Sequence, residues 1–239
     1  VNAVGSLRKP LERVRAGLTR LGGRQFDRRE GVDTGGQAEP VDLTVVEGDA
    51  SSGFTYAATP LRLAAAVLDA VPFPARDATF VDLGCGKGRV LLCAARRGYR
   101  EVVGVEFAHE LHATAVANAA AFRHRHPGTA PIRAVLGDAA RFAFPSGPLA
   151  VYCNNPFAGD VMAGVIAGLR RSYEAEQRPV AVVYQQLRHE EERHRTANGE
   201  LLAASGFLVE VPYGPRRLLD RVLLGGYSIR CFLSAEARA

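Results

Sequence analysis

One short stretch constrains this chain more than any other. Residues 79–83, Thr-Phe-Val-Asp-Leu, have strand character and break directly into Gly84-Cys85-Gly86-Lys87-Gly88. Behind the glycines, residues 89–97 read as a helix. A strand that turns through glycines into a helix opens a βαβ unit. The glycines allow the tight turn, and a missing Cβ lets a ligand reach the backbone.

The alternation continues downstream. Strands are expected at 101–106, 131–136, 149–153, 179–184, 207–211 and 227–233, the last two as a hairpin. Helices are expected at 61–70, 109–124 and 158–173, with 187–205 mostly helical. Strands alternating with helices of this length predict an α/β fold: a mostly parallel, doubly wound sheet with helices on both faces. No internal repeat is visible.

The chain has 239 residues and is 47% hydrophobic and 23% charged, enough apolar material for one sizeable core. No 18 consecutive residues are apolar, so no transmembrane helix is expected. The first 20 residues hold five basic groups and no apolar core of a secretory leader, which points to the cytoplasm. Cys85, Cys93, Cys153 and Cys231 stand far apart without zinc spacing and read as reduced, mostly packed thiols. Arg outnumbers Lys by 28 to 2, which together with the abundant Ala suggests a GC-rich bacterial genome.

The net charge of +5 sits in one place. Residues 1–30 carry eight basic and three acidic groups, and the remainder sums to zero. Nucleic acid is therefore disfavoured as a partner of the body, whatever the overall basicity suggests.

In that basic arm, residues 6–21 read as an amphipathic helix. Ser6 caps it, Pro10 stands in its first turn, and Gly22-Gly23 ends it. Leu7, Leu11, Val14, Leu18 and Leu21 form one apolar stripe, expected to pack on the body, with a lid or a dimer seam as the alternatives. Residues 22–55 read as a long lid-like connection with one short strand at 41–46. The domain division expected is an arm at 1–55 and a catalytic domain at 56–239.

The glycine spacing discriminates between ligands. A dinucleotide turn places its third glycine three residues after the second, and here that position is Arg89. The third glycine comes early, at Gly88, which argues for a ligand without a pyrophosphate. Glu106 ends the next strand, 24 residues after Asp82, where a carboxylate can accept bonds from ribose hydroxyls. Asp138 follows the third strand, where an acid can accept from an adenine amino group.

These motifs resemble the class I S-adenosylmethionine-dependent methyltransferases, over roughly residues 56–211. The most specific parts are Phe80 to Gly88 and Val103-Gly104-Val105-Glu106. The resemblance implies a Rossmann-like sheet of seven strands with the last antiparallel, and S-adenosyl-L-methionine as cofactor. It further implies that Asp82, Gly84, Cys85, Gly86 and Gly88 line the methionine end. Glu106 with Phe107 would take the ribose, and Asp138 with Ala139 the adenine.

A second motif ends the fourth strand. Asn154-Asn155-Pro156-Phe157 is similar to the [Asp/Asn/Ser]-Pro-Pro-[Tyr/Phe] loop of amino-methylating members, with Asn155 in place of the first proline. There the first residue holds the target nitrogen, and the ring stacks on the acceptor. A shorter register would give that role to Asn155, and a lysine acceptor remains open. Tyr56-Ala57-Ala58-Thr59-Pro60 is similar to a segment that closes over the methionine moiety in some lysine methyltransferases; Thr59 could instead cap the following helix. Tyr184, at the end of the fifth strand, is expected to point to the site edge.

Two patterns carry no chemistry. His189 and His194 flank a glutamate run but are five apart, so on a helix they diverge by about 140°. His109 and His112 share a helical face without a third ligand, and no metal is expected. The function expected is methyl transfer from S-adenosylmethionine to nitrogen on a small molecule or on a peptide or protein side chain. The alternatives are a cyclase that consumes the same cofactor, releasing methylthioadenosine, and an RNA methyltransferase using the basic arm. No membrane partner is expected, and the oligomeric state is open.

Overall fold

Residues 79–83 are buried along their whole length because helices cover the sheet on both sides. The computed structural model describes residues 3–39, 43–46, 56–154, 159–187, 198–214, 224 and 226–238. Along the chain these form α1 (Ala3–Glu30), β1 (Gln37–Ala38), β2 (Tyr56–Ala57), α2 (Leu61–Asp69), β3 (Thr79–Leu83), α3 (Arg89–Arg97), β4 (Glu101–Glu106) and α4 (His109–Arg125). There follow β5 (Ile132–Leu136), β6 (Leu149–Asn154), α5 (Gly159–Ala175), β7 (Val180–Leu187), α6 (Asn198–Ala203), β8 (Val209–Val211), β9 (Tyr227–Leu233) and α7 (Ala235–Arg238).

Seven strands make one sheet in the order β5-β4-β3-β6-β7-β9-β8. The first five are parallel, and β9 runs antiparallel to both β7 and β8. The sheet matches the expected Rossmann-like architecture. No helix of the described residues is long and apolar enough to cross a membrane.

Alternation along the strands sorts side chains onto two faces. Phe80, Val102, Ala150, Tyr152, Ala181 and Val183 share one cluster with Leu63 and Val67 of α2, Leu91 and Leu92 of α3, and Phe122 of α4. Val81, Leu83, Val105, Val151, Cys153, Val182 and Tyr184 face the other way, onto Met162, Ile166 and Leu169 of α5. A fully buried Leu or Phe contributes about 1.5–3 kcal/mol, so these two layers carry most of the fold's stability.

The arm departs from expectation. Helix α1 begins at Ala3, which leaves Pro10 in the helix interior, and it passes through Gly22-Gly23 to end at Glu30. The glycines do not stop it because tertiary contacts hold the following turns. A Cβ on Gly23 would come within 3.0 Å of the Arg89 guanidinium, and Phe26 is buried in the first cluster. Glu30 is buried and bonds to His126 Nε2 at 2.6 Å, Arg29 Nε at 2.7 Å and Arg96 Nη2 at 2.9 Å. Burial pushes its carboxyl up, but the bonds from His126, Arg96 and Arg29 outweigh that and hold it at about 2.

Of the expected apolar stripe, the side chains of Leu7 and Leu11 lie outside the described residues, and the other three are not buried on the body. Val14, Leu18 and Leu21 are 57%, 56% and 63% exposed. The expected strand at 41–46 reduces, among the described residues, to one antiparallel bridge from Val45 to Ala108. Of the helix expected at 187–205, residues 188–197 lie outside the described residues, His189 and His194 among them; Leu187 ends β7, and Asn198–Ala203 is helical. The four cysteines are free thiols, and Cys85, Cys153 and Cys231 are buried.

Candidate functional site

The carboxyl ends of the parallel strands meet where β3 gives way to the glycine turn. Gly84 and Cys85 donate their N–H groups to Val105 O at 2.9 and 3.0 Å, which pins the turn to β4. Gly86 N–H donates to Glu106 Oε2 at 2.7 Å. Glu106 Oε1 accepts from the N–H groups of Phe107 and Ala108, each at 3.1 Å. A carboxylate offers about four acceptor positions, so Oε2 keeps one for a ligand. The Cys85 thiol is buried and bonds to Gly86 O, so only the backbone of this residue serves the turn.

Asp82 is 3% exposed and accepts no hydrogen bond from a described residue. Burial and the nearby charge of Glu106 push its carboxyl well above the ordinary range. Burial also raises Glu106, against the three backbone donors. Two acids in one dry corner call for a cation or a proton. With the side-chain-free glycine turn, they fit a cationic ligand that also carries hydroxyls.

The arm forms one wall of this corner. Tyr56 lies on Gly86, where φ is +54° and a Cβ would collide with the Tyr56 ring. Its hydroxyl donates to Thr34 O at 2.9 Å. Arg89, only 5% exposed, is the hub. It donates from Nε to Thr34 Oγ1 at 2.7 Å and from Nη1 to Thr59 O at 3.3 Å, and it pairs with Asp27 at 3.7 Å. Lys87 Nζ bonds to Asp33 at 2.9 Å. Asn118 donates to Asp33 O and Lys87 O at 2.7 and 2.9 Å.

On the far side of β3 stands β6, with Leu83 opposite Cys153, so Asn154 lies beside the glycine turn. Asn154 Nδ2 donates to Thr59 Oγ1 at 3.4 Å. The Thr59 hydroxyl also lies 3.4 Å from Tyr152 Oη, which donates to Gln185 Oε1 at 3.0 Å. Helix α2 has no side-chain cap, so Thr59 belongs to this buried chain and does not cap the helix.

By strand alternation Asp82, Glu106, Tyr152, Asn154 and Gln185 share one face. Tyr184 falls on the opposite face, fully buried, with its hydroxyl on Gln186 at 3.2 Å, and is not brought to Asn154. Asp138 Oδ1 accepts from Ala140 N–H at 2.8 Å and caps a 3₁₀ turn that contains buried Ala139. Asn155, Pro156 and Phe157 lie outside the described residues.

Residues 80–172 match the family model described as Methyltransferase domain. The match runs from β3 into α5 and takes in the glycine turn and Glu106. Among solved structures, a Pseudomonas syringae protein assigned as a methyltransferase is 13% identical, covering 71% of this chain and 95% of that one, with a TM-score of 0.50. An S-adenosylmethionine-dependent methyltransferase from Thiobacillus denitrificans, with S-adenosylhomocysteine bound, is 17% identical over 73% of this chain and 90% of its own, at a TM-score of 0.47. The magnesium protoporphyrin IX methyltransferase of Synechocystis, also with S-adenosylhomocysteine, is 14% identical over 94% and 99%, at 0.47. No curated protein matches the chain by sequence. At these identities the structural likeness is one of fold.

Sequence reasoning missed Arg89, Thr34, Asp27, Tyr152 and Gln185 at this site. Arg89 did leave a signal: a cation at the first position of a helix opposes the helix dipole and needs a partner elsewhere. Thr34 and Asp27 leave none, because their partner is more than fifty residues away in sequence.

Proposed function

We propose that this enzyme transfers a methyl group to a nitrogen of a small molecule or of a peptide or protein side chain. The methyl donor is S-adenosylmethionine, which supplies a sulfonium-borne methyl and departs as S-adenosylhomocysteine. Asp82 and the turn of Gly84, Cys85, Gly86 and Gly88 hold its methionine end. Glu106 takes the ribose through its free Oε2 position, with Phe107 alongside, and Asp138 with Ala139 takes the adenine. Tyr56 and Thr59 close the near wall. Residues 56–239 are the catalytic body, and residues 1–55 are the arm.

The observation that carries the nitrogen reading is the place of Asn154. It stands on the face that carries the two acids, one residue past the β3–β6 pairing and beside the turn. An amide there can accept a hydrogen bond from an NH2 group and aim its lone pair at the methyl carbon, in line with the departing sulfur. The ring of Phe157, three residues on in sequence, suits a cationic or planar acceptor.

Product analysis tests this reading. The enzyme is incubated with S-adenosylmethionine and a panel of amines, lysine peptides and phenols, followed by mass spectrometry. S-adenosylhomocysteine together with an N-methylated product is expected. Methylthioadenosine, or methyl transfer to oxygen alone, overturns the reading.

A further inference from the structure

We infer that Thr59, Tyr152 and Gln185 are positioning residues that fix the Asn154 side-chain amide with its oxygen toward the transferable methyl. The inference rests on the role given to Asn154 above and adds the device that sets its direction. The argument is a count of protons.

A phenol has one hydrogen, and Tyr152 commits it to Gln185 Oε1 at 3.0 Å. Toward Thr59, Tyr152 can then only accept. Thr59 therefore spends its own single proton on Tyr152 Oη, at 3.4 Å. Toward Asn154 its oxygen can only accept, so the group facing it at 3.4 Å is Nδ2. The amide oxygen is left on the other side. The chain runs one way, from Asn154 to Thr59 to Tyr152 to Gln185.

The surroundings hold this direction. Tyr152 and Gln185 are each 1% exposed, so water does not compete for their bonds. Burial and the charge of Asp82 push the Tyr152 phenol well above its ordinary range, so it keeps its proton. Arg89 clamps the backbone of Thr59 from the other side, through Thr59 O at 3.3 Å. An asparagine without this chain could turn either end outward. With it, the site offers an acceptor to an incoming N–H group.

The test needs no knowledge of the methyl acceptor. Sinefungin carries an amine where S-adenosylmethionine carries its sulfonium methyl, whereas S-adenosylhomocysteine carries neither. Calorimetry of both ligands gives the ratio of their dissociation constants, which reads what faces the methyl position. A hydrogen bond to a charged group contributes about 1.5–3 kcal/mol, so the wild-type enzyme is expected to favour sinefungin roughly tenfold or more.

Thr59→Val keeps shape but removes the hydroxyl, and Tyr152→Phe frees the Thr59 proton to turn the amide round. Both are expected to lose most of that preference, by about tenfold, and the ratio reads this even where a change in the wall at Thr59 shifts both dissociation constants together. Thr59→Ser is expected to restore it. Loss of preference in Asn154→Ala but not in Thr59→Val or Tyr152→Phe overturns this inference and leaves the role of Asn154 standing. No loss in Asn154→Ala either overturns both. A preference that rises in Thr59→Val means the amide is held the other way round.

Discussion

The two halves of the sheet's carboxyl edge are built from different chemistry. On β3, β4 and the turn after β5 the polar groups are acids: Asp82, Glu106 and Asp138. Glu106 and Asp138 bond to backbone N–H groups of their own or neighbouring turns. On β6 and β7 the polar groups are neutral: Tyr152, Asn154 and Gln185. They bond side chain to side chain, and Tyr152 and Asn154 meet Thr59 from 93 and 95 residues away in sequence. On the function proposed above, the first half sets charge, to hold a cationic donor, and the second sets direction, to orient a neutral or hydrogen-bearing acceptor. A pair of buried acids tolerates a slightly displaced ligand, because Coulomb attraction falls slowly with distance. An in-line methyl transfer does not.

That contrast breaks most visibly at Asn154. Asn154→Ala removes the orienting amide and leaves every acid in place. Misplacement of about 1 Å costs 10²-fold in rate, so kcat is expected to fall by about that factor with the cofactor dissociation constant unchanged. Asn154→Asp is expected to fall less. Steady-state kinetics beside calorimetry decide the matter. Full turnover in Asn154→Ala with loss in Asn155→Ala would move the role one residue along. An altered cofactor affinity would mean that the two halves are not separable.

The opposite signature is expected on the acidic side. Glu106→Ala removes both the proposed ribose contact and the anchor of Gly86, and cofactor binding should weaken by roughly tenfold to a hundredfold. An unchanged dissociation constant in a folded variant sinks the assignment.

The acids should also make affinity depend on pH. Burial and the nearby charge of Glu106 raise Asp82, and burial raises Glu106. Their contribution to stability is therefore full below the ordinary carboxylate range and is lost as pH rises through the raised values. A bound cation favours the charged forms, so binding releases protons. Affinity for S-adenosylmethionine should rise with pH, by at most about tenfold per unit for each proton released. Calorimetry in buffers of different ionisation enthalpy measures that release; a flat or falling affinity would remove the charge argument.

The same contrast explains what was legible in the sequence. Every strand of the large sheet could be read, because apolar runs bounded by turn residues are local signals. The acids at strand ends are equally local. The neutral chain is not: Tyr152 reads as one more buried residue between Val151 and Cys153, and Gln185 and Gln186 fall just past the strand expected at 179–184, whereas β7 continues to Leu187. Thr59 before Pro60 reads as a cap. The pairing partners of these residues come from distant segments, and no periodicity announces them. Strand alternation would have separated Tyr184 from Asn154, since Gln185, the register partner of Asn154, is its neighbour. Gly22-Gly23 misled for the same reason: the residue that needs the space at Gly23 is Arg89.

The smallest effect expected concerns the arm, whose place beside the turn invites comparison with a lid. A lid orders when its ligand arrives. Here the segment after α1 is bonded to the protein itself: Asp33 N–H donates to Asn118 Oδ1 at 2.8 Å, and Thr34 N–H donates to Asp27 Oδ2 at 3.2 Å. Lys87 and Arg89 hold the same residues from the turn. Amide exchange at Asp33 and Thr34 should therefore be slow in the free enzyme and change by less than about threefold when S-adenosylmethionine is added. Asn118→Ala removes the latch without touching the acids, so exchange at Asp33 should accelerate while cofactor affinity holds. A large gain in protection of these two amides on cofactor binding would show that the arm closes over the site, and the bonds to Asn118 and Arg89 would then describe the closed state.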